Sequence, residues 1–202
     1  AAERALKRLV AMFRDEDTRQ SVRWPVVDAL SLLDPALVTE RVVDPILQDG
    51  VSLGRPDKMN KSLAYLIGLL RLRKARAHDF LVEDCLGLDG DRPLPDWSTW
   101  STAIVALGRI ADQSDQGLLA EIAAGRRREV DLGQLFPDET HRTYVRRAAI
   151  DALANTGELD TLAAQDRERL ATVAPDPALS PAYYRAVREI YWRGRSRARS
   201  GR

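Results

Sequence analysis

A Pro-Asp dipeptide recurs along the chain at Pro56-Asp57, Pro95-Asp96, Pro137-Asp138 and Pro175-Asp176, with spacings of 39, 42 and 38 residues, and Asp17 stands 40 residues before Asp57. The first three pairs lie immediately before a long amphipathic segment, and the fourth precedes the last such segment by a few residues. Aspartate at a helix start accepts hydrogen bonds from the free N–H groups of the first turn, and proline ahead of it keeps the helix from running backward. One such pair would be chance. Four in register define a period of roughly 40 residues, the length of a unit built from a pair of helices.

Apolar spacing divides each period in two. Val22 to Leu33 ends at Asp34-Pro35, and a second helix then runs to about Gln48. Lys58 to Arg73 is followed by Ala77 to Leu86, and Ser98 to Ala111 by Gln116 to Ala124. Tyr144 to Asn155 breaks at Thr156-Gly157 before Glu158 to about Val173. Apolar residues at i, i+3, i+4 and i+7, such as Ala103, Ala106, Leu107 and Ile110, line one face of the first helices. Glu3 to Arg14 closes an earlier unit, and Pro181 to Trp192 forms a last amphipathic helix. Aromatics are only 6% of the 202 residues against 45% apolar in all, so the core is built from Leu, Val, Ile and Ala. No Asn-Gly or Asp-Gly joins two alternating apolar runs, which argues against hairpins.

The expected fold class is therefore all-α: an α-solenoid of about four antiparallel helix pairs plus terminal helices over residues 1–192, with residues 193–202 a basic disordered tail. Leu30, Ile67, Leu107 and Leu153 fall at equivalent positions and are expected to be buried. The connections Asp49 to Pro56, Gly87 to Pro95 and Gly125 to Pro137 share one phase and are expected to line one edge.

The net charge is +1. Arg193, Arg195, Arg197, Arg199 and Arg202 lie in the last ten residues, leaving the remainder near −4, so the whole molecule is not a polyanion binder by bulk charge. Arginine outnumbers lysine 27 to 4 in an alanine-rich chain, a bias associated with high-GC bacterial genomes. Cys85 is the only cysteine, which excludes an internal disulfide and a Cys-rich zinc site. A cytoplasmic setting without a membrane partner is expected, since no apolar run approaches the roughly 18 residues of a membrane helix and no signal peptide opens the chain. The chain opens at Ala1 rather than a methionine, as a piece of a longer chain would.

Signs of catalysis are sparse. His78 and Cys85 form the one thiol–imidazole pair by spacing, but their helix face also carries Leu81, Val82 and Leu86, so both are expected to point into the core. His141 is isolated, no metal-ligand spacing is present, and neither a phosphate loop nor an acyl-transfer triad is found. A non-enzymatic chain without cofactor or metal is expected. Trp97 and Trp100 share a stripe with Ala103, Ile104 and Leu107 and are expected in the core. Trp24 lies on the side of Asp28 and Ser31, which fits either an exposed anchor or packing against the preceding helix.

The segment Val145-Arg146-Arg147-Ala148-Ala149-Ile150-Asp151-Ala152-Leu153-Ala154-Asn155-Thr156-Gly157 resembles the first helix of a HEAT-like repeat of the bilin-lyase type. Ala106-Leu107-Gly108-Arg109-Ile110-Ala111-Asp112 matches the second half of that pattern, and Ala29-Leu30 and Ile67-Gly68 match less of it. The resemblance covers roughly residues 15 to 175, and implies that second helices line a concave face. Their polar sides carry Glu40, Asp44, Asp79, Glu83 and Glu121, with Arg41 in the minority. First helices carry Arg19, Arg23, Lys58, Lys61, Arg142, Arg146 and Arg147. The expected function is a non-catalytic scaffold holding a protein or peptide partner of basic character, or another part of a larger parent protein, in an acidic groove or at the loop edge. The alternative is a nucleic-acid binder related to the HEAT-like DNA alkylpurine glycosylases. It would need a basic concave groove, opposite to this pattern, although Arg126-Arg127-Arg128 and the tail suit phosphate. A chromophore lyase rests on the repeat resemblance alone.

Overall fold

A computed structural model describes residues 2–15, 18–48, 57–88, 94–110, 115–128 and 130–156. These residues are mostly helical. The helices are α1 (Ala2–Arg14), α2 (Gln20–Ser31), α3 (Pro35–Val38), α4 (Asp44–Gln48), α5 (Asp57–Leu70), α6 (Ala75–Asp79), α7 (Trp97–Ile110), α8 (Asp115–Ala123), α9 (Leu132–Leu135) and α10 (Glu139–Thr156). The expected second helix of the fourth pair, Pro175-Asp176, the helix from Pro181, the arginine tail and most of the first two long connections lie outside the described residues.

Asp57, Asp96 and Asp138 of the Pro-Asp pairs stand at helix starts. The Asp96 carboxylate accepts from the Thr99 amide at 2.7 Å and opens α7. Asp138 accepts from the amides of Thr140 at 2.7 Å and His141 at 3.3 Å and opens α10. Helix α5 begins at Asp57. Between the pairs, Asp34 caps α3 through the Ala36 amide, with Pro35 in the first turn, where its missing N–H has no intrahelical acceptor to lose.

The long helices pack in chain order, α1 on α2, α2 on α5, α5 on α7 and α7 on α10, while α8 packs on α10. Leu30, Ile67, Leu107 and Leu153 are each 0% exposed, so all four lie in the core as the periodicity predicts. Small residues set the closest approaches. A Cβ on Gly68 would meet the Ala106 Cβ at 3.0 Å, and one on Gly108 would meet the Ala152 Cβ at 2.5 Å and its Cα at 2.7 Å. Replacing Gly108 by alanine gains up to about 1 kcal/mol in helix propensity. It forces α7 and α10 apart, however, and the expected net result is a loss of about 1–3 kcal/mol. Urea unfolding checks this, and a Gly108→Ala variant as stable as the parent would contradict the close contact.

Three local features depart from the sequence expectation. The helix expected from Asp34-Pro35 to Gln48 contains a π-helical turn, Thr39–Val43, between α3 and α4. Pro45 follows directly, and its ring would clash with the carbonyl four residues back in a regular helix, so the widened turn accommodates it. A second π turn, Phe80–Cys85, continues α6 at the corresponding place in the next pair. The connection from Gly125 holds a short antiparallel ladder, β1 (Arg126–Arg127) with β2 (Val130–Asp131), and then α9. Gly125, at φ +89°, makes the left-handed turn out of α8, and Arg128 adopts φ +47° within the hairpin turn.

Candidate functional site

Much of the basic charge on the first helices closes helix ends. The last carbonyls of a helix lack intrahelical donors and favour a nearby cation. Arg23, 0% exposed, donates from Nη2 to the Asp15 carbonyl just past α1. Arg109 donates to the Gly68 carbonyl in the last turn of α5 at 3.2 Å. Arg127 reaches the Leu86 carbonyl after the second π turn at 3.3 Å, and Arg146 the Ala123 carbonyl of α8 at 2.9 Å. Arg142 binds the carbonyls of Phe136 and Pro137, and Arg147 pairs with Asp151 at 3.3 Å. The basic face expected from Arg23, Arg142, Arg146 and Arg147 is thus largely committed to backbone carbonyls and internal pairs, whereas Arg19 is exposed. Within Arg126-Arg127-Arg128, Arg127 is buried and Arg128 pairs with Glu83 at 3.7 Å.

A connected strip of aromatic and polar contacts crosses α2, α5, α7 and α10. Trp24 is half-buried and meets Tyr65 edge to face at 4.7 Å, so it packs on the following first helix. Lys61 lies 5.7 Å from the Trp24 ring centroid and donates to Ser98 at 2.7 Å, and Ser98 donates to Asp96 at 2.6 Å. Burial works to raise the Asp96 pKa, but the Ser98 and Thr99 hydrogen bonds and the Lys61 charge outweigh it and hold the carboxyl below its usual range. Trp97, also half-buried, stacks on His141 at 4.7 Å and leans on Tyr144 at 5.5 Å. Of the two tryptophans expected in the core, Trp100 is 0% exposed, and Trp97 sits at the rim because it is the first residue of α7.

The five carboxylates singled out on second helices, the expected carboxylate row, have cations beside several of them. Glu40 pairs with its neighbour Arg41 at 3.4 Å, and both are exposed. Asp44, from α4, bonds Lys74 at the start of α6 at 2.7 Å, and Glu83 bonds Arg128 of the hairpin. Glu121 is half-buried on α8, where its charge acts on buried Arg127. Asp44 and Glu83 thus meet cations of segments that follow them in the chain.

His78 stands beside one of these acids, Asp79, and beside Asp115. Its Nε2 lies 2.7 Å from Asp115, the first residue of α8, and its Nδ1 lies 3.6 Å from Asp79. Burial lowers its pKa, yet the hydrogen bonds and charges of Asp115 and Asp79 prevail and raise it above the ordinary imidazole value. Cys85 is fully buried, whereas the His78 side chain is 34% exposed. The intervening π turn rotates Cys85 away from the seven-residue superposition of a regular helix, so the two do not form a pair in the core. Among the described residues, no cluster of three or more His, Cys, Asp or Glu could hold a metal ion, and no helix is long and apolar enough to cross a membrane. Comparison of the chain with known protein families, curated proteins and solved structures finds no match.

Proposed function

We propose that the chain is a non-catalytic α-solenoid scaffold of HEAT-like helix pairs that holds a basic protein or peptide segment along its second helices. The repeat reading is supported by the buried equivalent leucine and isoleucine positions and by polar contacts joining residues 37 to 41 apart. The docking reading is carried by one observation: Asp44–Lys74 and Glu83–Arg128 are ion pairs between side chains 30–55% exposed. Such pairs contribute only about 0–1 kcal/mol, so an incoming arginine or lysine can exchange for the internal cation at little cost. The nucleic-acid alternative is weaker, because so many of the first-helix arginines cap backbone carbonyls.

The test is the triple variant Asp44→Asn, Glu83→Gln, Glu121→Gln. Each exposed pair lost to the partner counts for about 0.2–1 kcal/mol, so three together weaken binding of a basic peptide by about threefold or more. Circular dichroism is expected to show unchanged helix content, and calorimetric titration at low and moderate salt a weakened, salt-dependent affinity. Unchanged binding by the triple variant would remove the carboxylate row and leave the loop edge as the docking surface.

A further inference from the structure

Resting on that docking surface, we infer that His78 gates it, offsetting the charge of Asp79 when protonated and releasing that charge to a basic partner when neutral. The imidazole is placed between two carboxylates of different kinds. Asp115, whose side chain is only 5% exposed, faces Nε2 at 2.7 Å, and Asp79, 68% exposed, faces Nδ1 at 3.6 Å. Protonated, the ring donates from both nitrogens and engages both acids. On losing one proton it keeps the Nε2–H that Asp115 accepts at short range, and Nδ1 becomes a lone pair directed at the Asp79 carboxylate. Attraction to Asp79 then ends, while the contact joining α6 to α8 persists.

Asp79 is the acid that a partner would gain. Lys74, just ahead of α6, is held by Asp44, and Glu83, one turn after Asp79, faces Arg128. The gate acts in one direction. Because the two carboxylates outweigh burial and raise the His78 pKa, the engaged form persists above the ordinary imidazole range, and the row gains negative charge as pH rises through the raised value. A cationic segment is therefore held more tightly at high pH.

The experiment titrates the full chain with a hexa-arginine peptide blocked at both ends, at low ionic strength, at about pH 5.5 and about pH 9. The expected gain for the unaltered chain is up to about fivefold in affinity at the higher pH, the worth of one exposed ion pair. His78→Gln, neutral throughout, is expected to bind equally at both, at the high-pH level. Asp79→Asn, at an exposed position, keeps the fold and is expected to lose the gain, so it carries the test if His78→Gln melts early. His141→Gln is expected to keep the full response. Binding that is independent of pH in the unaltered chain overturns the gate and leaves the docking surface standing. A response retained in Asp79→Asn, or lost in His141→Gln, also overturns it. No binding at either pH overturns the docking surface and the gate together.

Discussion

Replacing Trp100 by alanine is expected to lower folding stability by about 3–5 kcal/mol, whereas replacing it by phenylalanine is expected to change it by less than about 1 kcal/mol. The indole is 0% exposed in α7 and meets the Phe136 ring edge-on at 5.2 Å. Truncation leaves a cavity that neighbouring helices cannot close. The indole Nε1 is also buried without a hydrogen-bond partner among the described residues, a condition that costs about 1–3 kcal/mol. Phenylalanine removes that cost along with part of the ring volume, and the two effects oppose each other. Urea unfolding of both variants decides the matter. Equal, large losses would mean that the full indole outline, not ring volume, sets the packing of α7.

Arg23 gives a second contrast between removing a side chain and replacing its volume. Alanine there is expected to cost about 2–4 kcal/mol, because it empties the space of a buried stem and leaves the Asp15 carbonyl without that donor. Methionine fills the stem and carries no charge, so its expected cost is about 1 kcal/mol, close to that of one hydrogen bond. Buried charges are often neutral or unfavourable relative to apolar residues of similar volume, which is why the methionine variant is the informative one. Thermal and denaturant melts read both. A methionine variant as damaged as the alanine one would show that the hydrogen bond, not the stem, secures the end of α1.

The helix starts were legible because their chemistry is local. Asp96 and Asp138 bind amides two or three residues ahead, so residue type and spacing reveal the role. Burial of Leu30, Ile67, Leu107 and Leu153 followed from periodicity for the same reason. The helix-closing roles of Arg109 and Arg127 were not legible because their acceptors are remote: each contact spans 41 residues, and only tertiary packing shows which helix end lies opposite. The hairpin carries no turn signature, since a non-glycine residue, Arg128, takes the left-handed conformation while Arg127 inserts beneath Leu86. Pro45 inside an apolar helical pattern was a readable signal for the first π turn. The acids themselves, Glu40, Asp44, Asp79, Glu83 and Glu121, are visible in the sequence as polar positions of helical segments. The pairing of Asp44 with Lys74 and of Glu83 with Arg128 was hidden because both cations lie at the boundaries of elements, where helix periodicity does not assign a face.

The four helix-closing arginines share a direction along the chain. Arg23, Arg109, Arg127 and Arg146 each reach a carbonyl that precedes them, by 8, 41, 41 and 23 residues. Each helix end is thus completed by a segment made later. During synthesis, α5 would leave the ribosome with the Gly68 carbonyl still waiting for Arg109, and would gain that bond only after about one more repeat had emerged. Shortening from either end bares the apolar face of the next helix, but removal from the back also strips the remaining helix ends of their arginine donors.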